Sequence, residues 1–508
     1  MTEPLLVDGA SLSLEGFWEV VRGRRPVAFA PAAREAVARG RGAVDRAVAA
    51  GRPVYGVTTA FGALSAQTIP GPQARELQRS LVRSHASGAG PPLSPEIVRG
   101  LLLLRANSLA GGHSGVRPVV VERLLDLLNR DLLPFVPEQG SVGASGDLAP
   151  LAHVALALIG EGAFCTPDGG PPAPAGPLLA RHHLAPLELA EKEGVALVNG
   201  TALMASYLAL SVGDLARLAD AATVAAAVSF DALAGNPESL DDRLGEIRRD
   251  PEHRRSAAAL RALLDGSELA VRPDAWSGQD PYTLRCLPQV FGAVRLALGF
   301  GETIARRELN AVTDNPVLFG EEFVSGGNFH GQPLALALDT LALGTQYLAA
   351  FSERRISRLL HPALNRGLPA FLVPGSTVGS GLMIPQYLAA ALVNENQTLV
   401  HPASAGSLPT SADQEDFVSM GPWAGAKLRR ILTNTARVIA VEWIVAGQAL
   451  DLRAPRNGGR GSAAALRALR ARVAPWSEDR SPAPDIEAIA ATVRSGALVD
   501  EVRAAVPF

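Results

Sequence analysis

The chain has 508 residues, with 47 basic and 50 acidic side chains, a formal charge of −3 and 47% hydrophobic residues. That length suits about three ordinary domains or one large bundle, and a near-neutral balance without long like-charge runs offers no footprint for nucleic acid or anionic lipid. Cys165 and Cys286 are the only cysteines and Lys192 and Lys427 the only lysines, so a disulfide framework and a cysteine-built metal site are excluded and Schiff-base chemistry, pyridoxal phosphate included, is confined to two positions.

The opening MTEPLLVDGA lacks the basic and apolar regions of a secretory leader, and the few cysteines suit a reducing, cytoplasmic compartment. Ser94, Pro95 and Glu96 predict a helix start, with Ser as N-cap and Pro in the first turn, and the Leu-rich run after it stops at Gly111 and Gly112. Pro118 opens a second helix through Leu128. Asp147 reads as the N-cap of a helix with Pro150 in its first turn. Residues 166–177 are rich in Pro and Gly and read as an exposed loop rather than a linker. The uncharged stretches 194–213 and 367–394 are long enough to imitate membrane spans, but Asn199, Gly200, Thr201 and Ser206 in the first, and Pro374, Gly375, Gly379, Gly381 and Pro385 in the second, make both better suited to the buried interior of a large soluble assembly, so no membrane partner is expected. Asp280 and Pro281 read as N-cap and first residue of a helix that sets Tyr282 and Arg285 on one face. A short strand is predicted at 318–324, and proline-free apolar periodicity predicts long helices over 334–360 and 423–452. There is no βαβ rhythm and no internal repeat. The fold class is therefore mainly α, a long-helix bundle.

Among the polar interruptions, Gly140-Ser141-Val142-Gly143-Ala144-Ser145-Gly146-Asp147 carries the most chemistry. It has no Gly-Lys-Ser/Thr ending for a phosphate loop, and Asp147 stands where a nucleophile elbow needs glycine. A plain loop into a helix is one reading. Backbone chemistry is another: in a sharply bent Ala144-Ser145-Gly146 the unhindered Gly146 nitrogen can attack the Ala144 carbonyl, and loss of two waters leaves a conjugated ring with an electrophilic methylidene. No HExxH spacing exists among the nine histidines, so no catalytic metal is expected. His182 and His183 follow the Pro-rich loop and read as exposed, and His361 and His401 precede prolines at element ends. Tyr55 and Tyr282 sit in Gly- or Pro-marked polar segments, whereas Tyr207, Tyr347 and Tyr387 lie in apolar runs that suggest packing.

With those segments in view, the chain resembles the aromatic amino acid ammonia-lyase family, whose members carry such a ring, 4-methylidene-imidazol-5-one (MIO). The resemblance rests on YGVTTAFG from Tyr55, LVRSHASG from Leu81, SVGASGDLAPLAH from Ser141, LVNGT from Leu197, GQDPYTLRCLPQV from Gly278, LNAVTDNP from Leu309, GGNFHGQP from Gly326 and SLPTSADQEDFVSM from Ser407, in the family's order over nearly the whole chain. It implies a bundle resembling the fumarase/aspartase-like lyases, with an N-terminal MIO-bearing helical domain over 1–198 and a long-helix domain over 199–508. It further implies MIO formed autocatalytically from Ala144, Ser145 and Gly146, no pyridoxal phosphate, and a homotetramer with shared active sites. Tyr55 is then the general base, and Tyr282, Gln279 and Phe329 shape the ring environment. Asn199, otherwise a turn residue, and Arg285, otherwise a salt-bridge partner, would hold the substrate carboxylate. Gln414 is either a site wall or the reciprocal half of a capping box begun at Ser411. His85 and Glu415 match the positions at which histidine-specific members recognise imidazole, which implies deamination of L-histidine to trans-urocanate and ammonia; a tyrosine or phenylalanine lyase or an aminomutase is the alternative. The chain departs from the histidine-specific pattern at Thr58, Ala60, Leu287, Gly379 and Phe417.

Overall fold

The computed structural model describes residues 3–59, 69, 71–166, 169–270, 278–373 and 379–508. Ala60, the end of the YGVTTAFG segment, Pro374 and Gly375 lie outside them. The described residues form 19 α-helices and four two-stranded sheets, so the all-helical expectation holds.

Two compact units are interleaved along the sequence. The first comprises Met1–Leu210, Glu302–Asp339 and Pro402–Ala426. Its centre is the helix Pro95–Ala110, which starts where Ser94 and Pro95 predict and ends at Gly111. Every residue over 97–110 is buried, Arg99, Arg105, Asn107 and Ser108 included, so this helix is enclosed on all sides and has no apolar stripe against a polar face. Pro118–Asn129 packs beside it, and the antiparallel pair Val317–Phe319 and Glu322–Val324 falls on the predicted strand. Val54 and Val57 pack with Ala43, Val44, Ala47 and Leu318 in a small core that anchors the segment carrying Tyr55. Thr58, a departure position, locks the same turn: its hydroxyl donates to Arg52 O (2.5 Å) and accepts from Val54 N (2.8 Å).

The second unit comprises Ser211–Gly301, Thr340–His401 and Lys427–Phe508. Pro251–Leu264, Arg460–Arg470 and Ala497–Ala505 pack there in succession. A wholly buried ion pair lies at its heart. Arg355 Nε and Nη2 donate to Glu442 Oε1 (2.5 Å) and Oε2 (2.8 Å), while Ser229 Oγ and Ser352 Oγ satisfy the same carboxylate.

Four helices are long: Ala202–Ala232, Leu287–Glu308, Gln332–Leu360 and Gly421–Asp451. The last two match the proline-free stretches to within two residues. Ala202–Ala232 has no amphipathic signature because it is buried almost all round, and only its first part lay in a stretch read as interior. Ala202–Ala232 and Gln332–Leu360 are also long and apolar enough to cross a membrane, with 83% and 67% of their most apolar windows buried in the fold. Met383–Leu399, which begins within the other uncharged stretch, buries four residues in the single chain, and Tyr347 and Tyr387 are exposed there.

Arg355→Met should leave Glu442 as a buried charge without its cation, a loss of about 3–5 kcal/mol. Denaturant unfolding of the two proteins measures it.

Candidate active site

The Ala144-Ser145-Gly146 turn is bent by its backbone and pinned from beneath. Ser145 has φ +49°, left-handed for a residue with a side chain, and Gly146 follows at φ +82°. A Cβ on Gly146 would stand 2.0 Å from Gly200 O, so only glycine fits. Gly200 in turn closes the turn from below: Asp147 N donates to Gly200 O (2.7 Å) and Gly200 N donates to Ser145 O (3.2 Å). No hydrogen bond engages the Gly146 N–H among the described residues. A bent tripeptide, a free Gly146 nitrogen and a glycine-only cradle fit the residues to MIO.

Asp147 does not cap its own helix, Leu148–Leu158. Its Oδ2 accepts from Leu203 N (2.8 Å) and Met204 N (3.2 Å), which caps Ala202–Ala232 instead. The reason is the left-handed turn before it, which aims the carboxylate across at the helix following Gly200. Burial pushes the Asp147 carboxyl up to about 7, against the pull of those two N–H groups and Arg105. Arg105 is itself buried and donates to Ala196 O, and Lys192 is buried against Asp314 (2.7 Å). Asn199 Nδ2 joins the cluster through Asp314 Oδ1 (3.3 Å) and Asn315 O (3.2 Å), leaving its buried Oδ1 without a partner.

Above this platform a cavity of about 700 Å³ is lined by Tyr55, His85, Ala144, Ser145, Asn199, Phe329, Gln414 and Glu415, among others. The expected residues of the first unit thus meet in one place. Glu415 Oε1 accepts from Ser145 Oγ (3.2 Å), which puts a carboxylate on the methylidene-forming side chain. His85 Nδ1 lies 2.9 Å from Leu81 O, a contact that requires the proton on Nδ1 and makes Nε2 the acceptor of the neutral ring. Burial lowers the His85 pKa below its ordinary value, opposed by the Leu81 carbonyl and Glu415. Burial thus favours the neutral imidazole.

Gln414 lines the cavity and caps nothing: residues 411–414 form a turn, not a helix, with Gln414 N donating to Ser411 O (3.2 Å). Gln279, Tyr282 and Arg285 belong to the second unit. Tyr282 is 67% exposed, with the Arg285 guanidinium 5.0 Å from its ring centre. Asp280 caps no helix there: its carboxylate accepts from Asn236 N (2.7 Å) and pairs with Arg366. Of the departure positions, Phe417 lines the cavity, stacked on His330 (6.2 Å between ring centres), and Leu287 is buried at the start of its helix. Sequence reading missed Asn315 and His330 in the lining. Both lie inside quoted segments, TDNP and NFHG, so position within a polar interruption was the available signal.

Residues 12–471 match the aromatic amino acid lyase family. The histidine ammonia-lyase of Anaeromyxobacter dehalogenans is 49% identical over 506 residues, covering 98% of this chain and 99% of that protein. The crystal structure of the Trypanosoma cruzi histidine ammonia-lyase superposes with a TM-score of 0.92 at 38% identity, covering 99% of this chain and 96% of that one. The Streptomyces globisporus tyrosine aminomutase superposes with a TM-score of 0.94 at 36% identity, covering 100% and 99%.

The Asp147 carboxyl has a pKa of about 7 in the folded chain, above the ordinary 3.8 it has when unfolded. The folded state therefore holds the extra proton between those values, and Asp147 costs stability progressively as pH rises from about 4 to about 7. Asp147→Asn removes that titration. The stability of wild type relative to the variant, from denaturant unfolding, should fall across this window.

Proposed function

The chain belongs to the aromatic amino acid lyase family, and from that membership we propose that it is a histidine ammonia-lyase, converting L-histidine to trans-urocanate and ammonia. The observation that carries the substrate is the pair His85 and Glu415, which line one cavity with Tyr55 and the Ala144-Ser145 turn. MIO, held by Ala144, Ser145 and Gly146, supplies the electrophile that activates an amine for departure.

The chain's own residues do the rest. Tyr55, acting as its phenolate, takes the β-proton and leaves as the phenol, in a cavity that it lines together with Leu81, Leu148, Val195 and Val198. Neutral His85 offers Nε2 as an acceptor and Glu415 a carboxylate, so together they can engage both N–H groups of a substrate imidazolium. Asn199 lines the cavity beside the place of the substrate carboxylate; with its Nδ2 taken by Asp314 and Asn315, the group it presents is the acceptor Oδ1. Arg285 is the bidentate partner that such a carboxylate needs. In the homotetramer with shared sites that family membership implies, Arg285, Tyr282 and Gln279 of another copy would complete the cavity. Leu296, Phe300, Leu343, Tyr347, Ile384 and Tyr387, exposed on Leu287–Glu308, Gln332–Leu360 and Met383–Leu399, are apolar surface such an assembly would cover. The enzyme works in the cytoplasm, where Cys165 and Cys286 stay as free thiols.

The likeness to a tyrosine aminomutase favours a second reading, in which the same electrophile and base act on tyrosine or phenylalanine. Polar groups that pair with imidazole are stranded by a phenyl ring at about 1–3 kcal/mol each. Wild type should therefore prefer histidine over tyrosine and phenylalanine by at least about thirtyfold in kcat/KM. His85→Leu and Glu415→Gln should each depress histidine turnover more than any aromatic side activity, Glu415→Gln the more severely. Preference for tyrosine or phenylalanine, or unchanged histidine turnover in both variants, contradicts the histidine assignment while leaving the lyase chemistry intact.

A further inference from the structure

We propose that Thr410 is the positioning residue through which Glu415 selects an imidazole substrate; the proposal rests on the histidine-lyase reading above. Ser411, Ala412 and Asp413 are consecutively left-handed, with φ of 52°, 53° and 62°, and none is glycine. Side chains rarely adopt that conformation, so three in a row persist only when their surroundings impose it. The clamp is visible at the ends of the turn. Thr410 N donates to Glu415 O (2.9 Å) and Glu415 N donates to Thr410 O (3.2 Å), closing the loop upon itself.

The same threonine then reaches the functional group. Thr410 Oγ1 donates to Glu415 Oε2 at 2.8 Å, while Oε1 faces Ser145 Oγ at 3.2 Å. A hydroxyl has one proton to give, and here it goes to Oε2, which leaves the lone pairs of Oε1 for the cavity. A carboxylate's last torsion is broad and roughly two-fold, so without this bond the group has no preferred presentation. MIO formation strengthens the dependence. It removes Ser145 Oγ as water, after which Thr410 is the one side-chain donor left on Glu415 among the described residues. His330 ties the far side of the segment, its Nε2 at 3.0 Å from Phe417 O, so the backbone stays in place when the hydroxyl is deleted.

The test uses purified enzyme whose two-water mass deficit is confirmed in every variant. Thr410→Val removes the hydroxyl at nearly constant shape, and Thr410→Ser retains it. Inhibition constants are measured for urocanate, which carries the imidazole, and for cinnamate, which carries a phenyl ring. Losing a hydrogen bond that orients a charged group should weaken urocanate about tenfold in Thr410→Val. Cinnamate, which makes no such bond, should change by less than about twofold, and Thr410→Ser should restore urocanate to within about threefold of wild type. Unchanged urocanate binding in Thr410→Val, equal weakening of both inhibitors, or failure of Thr410→Ser to rescue overturns the proposal. A wild type that binds cinnamate more tightly than urocanate overturns the histidine reading itself, and this inference with it.

Discussion

The Gly200 backbone, gripped by Asp147 and Ser145, is the contact on which the site depends. Asp147 N and Ser145 O exchange hydrogen bonds with Gly200, and Asp147 Oδ2 caps the helix that begins two residues later. Ala202–Ala232 is long and buried, so its start is a rigid reference, and the strained tripeptide is bolted to it. The grip is built from groups that pay heavily for burial: Asp147, Arg105, Asp314 and Lys192 are all hidden from water. They tolerate it because each faces an opposite charge or a backbone dipole. The result is a turn held in a left-handed bend with its Gly146 nitrogen unengaged.

In the proposed function, substrate choice rests on different pieces of chain. His85 ends the helix Gly71–His85, and Glu415 sits on the clamped turn that Thr410 closes. Neither forms part of the tripeptide platform, although Glu415 touches it through Ser145. A fold arranged in this way can keep its electrophile and base while its substrate changes, and the likeness of this chain both to histidine ammonia-lyases and to a tyrosine aminomutase accords with that separation.

Helix ends were legible wherever proline, glycine or a short polar residue punctuates the chain, as at Pro95, Gly111 and Pro118. Long amphipathic runs were legible too. Ala202–Ala232 was not, because burial on all sides erases the periodicity that marks a surface helix. Asp147 and Asp280 look like local caps in sequence, yet tertiary partners far along the chain claim both carboxylates. The left-handed run at Ser411, Ala412 and Asp413 gave no signal, since no glycine marks it. Motif resemblance named the cavity residues Tyr55, His85, Ser145 and Glu415, which physical reading of spacing alone would have left scattered over 360 residues. Thr410 stood inside a quoted segment, but its role is visible only once Glu415 Oε2 is seen to rest on it.

The most direct test of the central claim is the mass of the proteolytic fragment spanning Ala144, Ser145 and Gly146 from active enzyme. A fragment lighter than its sequence by two waters is expected, with Ser145→Ala failing to give that deficit and losing activity. A fragment of full sequence mass from active enzyme would contradict the account, because the bent turn on Gly200 would then serve some purpose other than making the electrophile.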